Sequence, residues 1–368
     1  MFFLGVGATL PALPGGVRDA GASPAALGIV IGAFAFGALA GRLIAGRSTD
    51  RMGRLVTLRA GLVCTAVAGV LFVLALPVAA LVAARLLHGL ADALVYTAAA
   101  TWILDRSAGD RRAVALSLLG SGIWGGYALG PLLGGLLGLR GTGVAIVVAA
   151  AVSVVLTLGL VDRVGSAEAP AGLRGFLPHG VTVPGIALGL GNLGYAAVVG
   201  FLVLQVDDRG GRGAVALSAF SVAVLLGRLV IVPAAVRVGL LRSVPYGLVA
   251  MAGGLVVIAL ADSTLVAATA AAVVGLGYCL PFPALAALVA DRVGEAQRGT
   301  AVGALTAFYD VFVGLGSVGF GYVAQVRESR DVFLLAALGV LAAAAVDAYL
   351  AREDRRVRVA RYDSVPDA

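Results

Sequence analysis

Three ionisable side chains share one face of a predicted apolar helix. Arg85, His88 and Asp92 stand three and four residues apart within the run 79–103, so on a helix they lie within about 60° of one another. Ionisable groups in apolar surroundings are costly unless they face a cavity or pair with one another. The pattern predicts a relay for protons or substrate, or else a structural Arg85–Asp92 pair with His88 merely hydrogen-bonded.

A single carboxyl group, that of Asp310, lies near the middle of the apolar run 299–325. A carboxyl group in apolar surroundings can bind and release a proton near neutral pH. One charge that crosses 100 mV is worth about 2.3 kcal/mol. We therefore predict Asp310 as the leading proton-coupling residue, with Asp92, His88 and Arg85 as further candidates.

Two arginines, Arg42 and Arg228, lie inside apolar runs toward their predicted cytoplasmic ends. An arginine there can extend to the membrane interface, form a fixed pair with Asp310, or act in gating or anion binding, and the sequence leaves these roles open. Aromatic and amide side chains deep in apolar runs are candidates to line a cavity: Trp124, Tyr127, Asn192, Tyr195 and Tyr278.

The composition determines which elements must position these groups. Of 368 residues, 60% are hydrophobic and 13% are charged, against about 45–50% and about 25% in soluble domains. Lipid must therefore be the solvent for most of the chain, and runs of this length can span it only as helices. Breaks at charged, Pro and Gly residues predict about twelve spans: 1–14, 24–45, 57–76, 79–103, 113–138, 142–161, 181–206, 214–236, 243–261, 264–290, 299–325 and 331–351.

The distribution of arginine predicts the topology. All 27 basic residues are arginine, and most fall in inner loops if both termini are cytoplasmic, as the positive-inside rule expects. No arginine run is interleaved with exposed aromatic residues, so nucleic-acid binding is not expected. We expect a multi-pass, monomeric protein in the lipid bilayer of a bacterial cytoplasmic membrane, with both termini in the cytoplasm.

The two halves of the chain are related by an offset of 186 residues, the separation of Arg42 and Arg228. This offset indicates a duplicated six-helix unit with a pseudo-twofold axis along the membrane normal. The aligned segments include Gly41-Arg42-Leu43 with Gly227-Arg228-Leu229, Gly61-Leu62-Val63 with Gly247-Leu248-Val249, and Asp105-Arg106 with Asp291-Arg292. The predicted parts are an N-terminal bundle 1–161, a cytoplasmic linker 162–180, a C-terminal bundle 181–351 and a cytoplasmic tail 352–368.

The offset also predicts a short first helix. Met1 aligns with Ala187, which lies inside the seventh predicted span. Either the start of the chain is misassigned or the first helix is a remnant.

A charge-dense segment at 46–54 joins the second and third predicted spans. It resembles the loop 2–3 signature of the major facilitator superfamily of transporters, a Gly followed by Asp-Arg-x-Gly-Arg-Arg. The matching residues are Gly46, Asp50, Arg51, Gly53 and Arg54, while Leu55 replaces the second terminal basic residue. The resemblance implies a polar latch at the cytoplasmic face, with Asp50 near the start of the eleventh helix; the alternative is a set of ordinary positive-inside anchors.

The fourth and fifth spans extend this resemblance. Arg85 followed at the fourth position by Gly89 resembles the fourth-helix signature of the family. In the fifth span, the series Gly126, Gly130, Pro131, Gly134 and Gly135 resembles the signature associated with proton-coupled antiporters. The series also has the spacing of small residues that lets helices pack closely.

The resemblance implies an all-α transporter with about twelve transmembrane helices in two six-helix bundles. The predicted activity is proton-coupled efflux of a small amphiphilic compound, a drug or secreted metabolite, by alternating access. The alternatives are an importer or facilitator on the same fold and a non-transporting membrane protein with a remnant first helix. With only His88 and His179, and with no Gly-Lys-Ser/Thr loop, neither a metal site nor an ATP site is predicted. We therefore expect no enzymatic activity and no cofactor, with the proton gradient as the energy source.

Overall fold

The chain is described here from a computed structural model, which covers residues 1–74, 77–106, 110–162, 180–293 and 297–363. Within these ranges the regular elements are all helices. They are α1 (Phe2–Asp19), α2 (Pro24–Met52), α3 (Arg54–Val73), α4 (Val78–Arg106), α5 (Asp110–Leu158), α6 (Thr182–Asp207), α7 (Gly213–Val238), α8 (Leu240–Leu260), α9 (Thr264–Tyr278), α10 (Pro281–Arg292), α11 (Arg298–Val326) and α12 (Ser329–Asp363).

These elements correspond to twelve spans, although the helix breaks differ from those predicted. Helix α5 is two spans joined at Gly138, whose φ of 62° and ψ of −174° interrupt the helical backbone. Helices α9 and α10 are the two parts of one span, separated at Cys279-Leu280 just before Pro281. By length and hydropathy, ten helices of the described chain qualify as membrane spans. The break between the spans at 138 is where the sequence predicted it. The loop expected between 138 and 142 is wrong, because Arg140 lies within the second part of α5.

The charge-dense segment 46–54 is mostly helical. Helix α2 continues to Met52 and α3 begins at Arg54, so Gly53 alone forms the connection. Its φ of 96° is a conformation that side chains other than glycine rarely adopt. Gly239, its counterpart under the 186-residue offset, joins α7 to α8 with a φ of 107°. We name this side of the molecule the Gly53 end and the opposite side, where Gly210 follows α6, the Gly210 end.

Of the predicted linker 162–180, only residues 162 and 180 are among the described residues. His179 lies outside them. Helix α12 continues to Asp363, so most of the predicted tail 352–368 extends the last helix. In the given sequence, helix α1 has 18 residues and its counterpart α6 has 26; the short first helix stays a prediction.

Backbone-to-backbone packing joins the two bundles toward the Gly210 end. A Cβ atom on Gly28 of α2 would lie 2.7 Å from the Cα of Gly321 in α11. At the equivalent place, a Cβ on Gly135 of α5 would lie 2.6 Å from the Cβ of Ala214 in α7. Only very small residues allow helices to approach this closely. The bundles are therefore closed against each other on this side.

Candidate functional site: a cavity between the bundles

A cavity of about 620 Å³ lies between the two bundles. It extends to the Gly53 end, where its walls include Gly46 of α2 and Gly299 and Gly303 of α11. Toward the Gly210 end the glycine contacts described above close it, and beyond them the guanidinium of Arg18 bonds the carboxylate of Asp208 at 3.0 Å. The cavity is thus accessible from one side of the molecule.

A salt bridge between Arg42 and Asp310 crosses the bundle interface at the cavity wall. Nε of Arg42 donates to Oδ2 of Asp310 at 2.5 Å, and Nη2 donates to Oδ1 at 3.4 Å. The Asp310 side chain is only 3% exposed and that of Arg42 is 23% exposed. Two parallel charge-assisted bonds between α2 and α11 form a strong, directional link. Of the two arginines considered as partners for Asp310, the structure therefore selects Arg42.

Asp92 faces the same cavity from α4. Its carboxylate interacts electrostatically with Arg42, Asp310 and Arg85. No ion pair within 4.0 Å joins it to Arg85 in the described structure, so the predicted Arg85–Asp92 pair is not formed. Arg42 therefore has one carboxylate directly bound across the interface and a second in its own bundle.

Arg85 and His88 lie behind the cavity wall, away from its lining. The Arg85 guanidinium donates to Oγ1 of Thr9 at 3.2 Å and stacks 4.4 Å over the ring of Phe34. His88 is fully buried, with ring centroids of Phe2 and Phe34 at 5.6 Å and 5.7 Å. Its two ring nitrogens have no protein hydrogen-bond partner. The face predicted for Arg85, His88 and Asp92 is real, but only Asp92 reaches the cavity.

Arg228 lies on the opposite wall and meets aromatic groups in place of acids. Its guanidinium carbon is 4.4 Å from the centroid of Trp124, a cation–π contact between α7 and α5. The Nε atom of Arg228 has no hydrogen-bond partner. Tyr278 interacts electrostatically with Arg228, and its ring lies 6.3 Å from that of Trp124.

An aromatic wall continues from Trp124 and Tyr278 across the cavity. Tyr195 stacks on Tyr278 with centroids 5.1 Å apart and an interplanar angle of 14°. Tyr127 lies 5.7 Å from Trp124, and the buried Asn192 also lines the cavity. All five of these side chains, predicted only as residues deep in apolar runs, therefore meet at one site.

The 186-residue offset superposes the two arginine environments. It carries Arg42 onto Arg228. The partners correspond as well: Asp92 falls on Tyr278, and Trp124 falls on Asp310. Each arginine thus faces the same two positions of the repeat. Those positions hold carboxylates at Arg42 and aromatic rings at Arg228.

The predicted latch residues lie at the Gly53 end. Arg54 is 7% exposed, and its Nε lies 2.9 Å from a carboxylate oxygen of Asp105 in α4. This ion pair stays within the N-terminal bundle. Asp50 is half-buried and Arg51 is exposed, and neither forms an ion pair with a described residue. The proposed contact of Asp50 with the start of the eleventh helix remains a prediction.

The glycine series of α5 packs mainly against α1. A Cβ on Gly126 would lie 2.7 Å from the backbone nitrogen of Leu4, and one on Gly130 would lie 2.7 Å from that of Ala8. Gly134 meets the backbone of Ala8 in the same way, while Gly135 faces α7. The series around Pro131 therefore provides the close helix packing that its spacing predicts.

Sequence reasoning missed several residues at or near the site. Phe34, Tyr96 and Tyr309 line the cavity, and no sequence pattern distinguished them from other apolar-run aromatics. Asp347 in α12 is fully buried, and both of its carboxylate oxygens lack a hydrogen-bond partner. It could have been found, because a lone acid in an apolar run is the signal that identified Asp310.

The fold and the site define a polytopic helical protein with one central cavity between two related bundles. The Major Facilitator Superfamily profile matches residues 1–207 and, again, residues 186–364. The chain belongs to the major facilitator superfamily, and it is a membrane transporter. The double match agrees with the duplication found in the sequence.

Similar proteins support this assignment. An uncharacterized MFS-type transporter of Burkholderia mallei (strain SAVP1) is 30% identical over 376 residues, with 96% of this chain and 90% of the relative aligned. Another from Pseudomonas aeruginosa (strain LESB58) is 31% identical over 379 residues, with 96% and 91% aligned. Among solved structures, the nucleoside transporter NupG superposes with a TM-score of 0.76 at 15% identity, covering 94% of this chain and 95% of that one. The human organic anion transporter MFSD10 superposes with a TM-score of 0.68 at 16% identity, covering 94% and 96%. At these identities the two structures show the shared fold alone.

Proposed function

We propose that this transporter exports a small amphiphilic compound in exchange for protons. The observation that carries the proposal is the Arg42–Asp310 salt bridge, which links the two bundles at the wall of the cavity. A carboxylate at this position can bind either a guanidinium or a proton. Movement of one bundle relative to the other can therefore be coupled to proton binding.

The orientation follows from the arginines. They concentrate at the Gly53 end, which the positive-inside rule makes the cytoplasmic face. The cavity, accessible from that end, is then inward-facing. The protein belongs on this reading in a bacterial cytoplasmic membrane, and because the cavity is complete within one chain we propose a functional monomer.

Proton coupling would operate through the choice of partner for Arg42. Protonation of Asp310 removes the charge to which Arg42 is bound, so the salt bridge and a bound proton exclude each other. Arg42 can then interact with Asp92, which lies in its own bundle. The link between the bundles is thereby released, which allows them to rock in alternating access. Tyr309, beside Asp310, is the other titratable group that acts on Arg42.

The cavity wall supports an amphiphilic cargo. Trp124, Tyr127, Tyr195 and Tyr278 present ring faces, and only four charged side chains line the described cavity. Aromatic surfaces with few convergent polar groups are typical of sites for partly apolar ligands. The series Gly126 to Gly135, which resembles that of proton-coupled antiporters, favours export over import.

Efflux of fluorescent amphiphiles from cells that lack their own pumps tests the proposal. A panel of anionic and cationic dyes would be compared in wild type, Asp310→Asn, and wild type treated with a protonophore. The matched control is Asp262→Asn, because Asp262 is an exposed aspartate between α8 and α9. We expect dye loss from wild type and the control, and none after the protonophore or Asp310→Asn. Accumulation of dye by energised cells, or loss that ignores both the protonophore and Asp310→Asn, would contradict proton-driven export.

A further inference from the structure

We infer that the cavity contains a subsite for an aromatic anion, formed by Arg228, Trp124 and Tyr278. This inference rests on the proposed transport function and deepens it by naming the substrate class. It depends on the cavity geometry and not on the direction of transport.

Arg42 and Arg228 occupy equivalent positions of the repeat but face different side chains. At Arg42 the two facing positions, 92 and 310, hold carboxylates that neutralise the guanidinium. At Arg228 the same positions of the repeat, 278 and 124, hold Tyr and Trp. The arginine is present in both copies, and the acids are present in only one. A ligand carboxylate would supply at Arg228 the charge that the protein itself supplies at Arg42.

The charge of Arg228 has no carboxylate partner among the described residues. Arg228 lines the cavity, its Nε is unbonded, and the groups that act on it are Tyr278, Cys279, Tyr309 and Tyr96. None of these carries a carboxyl group. The ring of Trp124 compensates part of the desolvation of this cation through its π face, but it leaves the donor directions of the guanidinium edge unused. An anion in the cavity can accept from that edge and form a charge-assisted bond.

A cationic substrate fits the charges less well. Asp92 is the cavity carboxylate that lacks a direct ion pair, and it already has Arg42 and Arg85 in electrostatic range. A ligand cation there would meet the like charges of Arg42 and Arg85, which already balance the carboxylates of Asp92 and Asp310. Arg228 has no such competition from an acid of the protein, so anions are favoured.

The aromatic part of the ligand follows from the surroundings of Arg228. Trp124 lies against the guanidinium, and the stacked pair Tyr195–Tyr278 lies beside it. A ring attached to the anionic group can pack against these faces, where offset and edge-to-face contacts are favourable. The subsite therefore suits a planar aromatic carboxylate.

The test measures binding to the full-length protein purified in lipid nanodiscs, with three probes that share one ring system. These are radiolabelled 2-naphthoate, neutral 2-naphthylmethanol and cationic 2-naphthylmethylamine. The variants are Arg228→Gln, Arg228→Lys and, as control, Arg237→Gln, which removes an exposed arginine of the same helix.

We expect 2-naphthoate to bind at least about tenfold more tightly than either other probe, the ratio typical of one well-placed charge contact. Arg228→Gln should remove this preference and leave binding of the neutral probe unchanged. Arg228→Lys should retain part of it, and Arg237→Gln all of it. Unchanged binding of the neutral probe also shows that Arg228→Gln has folded.

Three results would overturn the inference: tighter binding of the amine, a naphthoate preference that survives Arg228→Gln, or no binding of any probe. None of them depends on proton coupling or direction. Failure of the dye experiment together with naphthoate binding through Arg228 would instead leave the subsite standing and remove the proposal of proton-driven export.

Discussion

The two walls of the cavity are built from the same repeat, and they differ in what surrounds the arginine that both copies contain. On one wall Arg42 is bound to Asp310 of the other bundle at 2.5 Å. On the other wall Arg228 lies 4.4 Å over the ring of Trp124, also of the other bundle. The first contact can be broken by a proton, whereas the second cannot, because an indole ring does not titrate in this range. The proposals therefore assign energy coupling to the first contact and cargo binding to the second.

The two contacts also differ in the free energy that is lost when one partner is removed. Removing one partner of a buried ion pair leaves an uncompensated charge and typically costs about 3–5 kcal/mol. A cation–π contact is worth about 0.5–2 kcal/mol. Changes on the Asp310 wall should therefore have larger effects than the corresponding changes on the Trp124 wall.

The largest effect is expected for Asp310→Asn. Without a titratable group at this position, a proton cannot displace Arg42, and the work of one coupled charge is lost. At a membrane potential of 100 mV that work is about 2.3 kcal/mol, so the steady-state gradient of an exported dye should fall by about fiftyfold. Measurement of dye gradients at controlled potential checks this. A gradient as steep as that of wild type would remove Asp310 from the coupling mechanism.

The next largest effect is expected for Trp124→Asp, which makes the second wall resemble the first. The new carboxylate should neutralise Arg228 and compete with an anionic ligand, so binding of 2-naphthoate should weaken by about tenfold or more. Trp124→Leu is the matched control, because it removes the ring without adding charge. It should weaken 2-naphthoate and 2-naphthylmethanol by similar factors. Equal effects of the two substitutions on the anion-to-neutral ratio would contradict the assigned role of Arg228.

A smaller effect is expected for Asp92→Asn. Arg42 keeps its direct partner Asp310, so the salt bridge survives and only the alternative partner is lost. Transport should slow by a few-fold while remaining sensitive to the protonophore, since a partly screened charge interaction is worth about 1 kcal/mol. Rates of dye efflux with and without protonophore test this. Complete loss of proton sensitivity would transfer the coupling role from Asp310 to Asp92.

The smallest effect is expected for Arg18→Gln at the Gly210 end. The Arg18–Asp208 bridge joins the bundles as well, but its side chains are 62% and 48% exposed. Exposed pairs contribute about 0–1 kcal/mol, and the close packing of Gly28 on Gly321 and of Gly135 on Ala214 also closes this end. Efflux rates should stay within about twofold of wild type. A tenfold change would show that closure depends on this pair and not on the glycines.

The sequence predicted the features that lipid and duplication impose. Apolar run length and charged breaks define the spans, and the offset of 186 residues identified Arg42 and Arg228 as equivalent. Helical periodicity correctly placed Arg85, His88 and Asp92 on one face. The connection at 46–54 was predicted, although the helices on both sides extend further into it than expected and leave only Gly53 between them.

Packing decided what the sequence left open. The orientation of α4 about its own axis places Asp92 at the cavity and His88 among phenylalanine rings. That orientation is defined by the packing of α4 and not by its periodicity. The pairing of Asp310 with Arg42 depends on the crossing of α2 and α11, which lie far apart in the chain. A single glycine, Gly138, replaced the predicted loop because one residue with positive φ is enough to reverse the path.

The most direct test of the central claim measures conformation as a function of pH, without any substrate. Spin labels would be placed at Met52 and Val238, the equivalent last residues of α2 and α7, which are 56% and 72% exposed at the Gly53 end. The labelling would use Met52→Cys and Val238→Cys with Cys64→Ala and Cys279→Ala, and distances would be recorded in nanodiscs from about pH 8 to about pH 5. If a proton on Asp310 releases Arg42, acidification should shift the wild-type distances from long to short as the Gly53 end closes. Asp310→Asn should then show the short population at every pH. A wild-type distribution that does not respond to pH, or an Asp310→Asn distribution that responds as wild type does, would contradict the account.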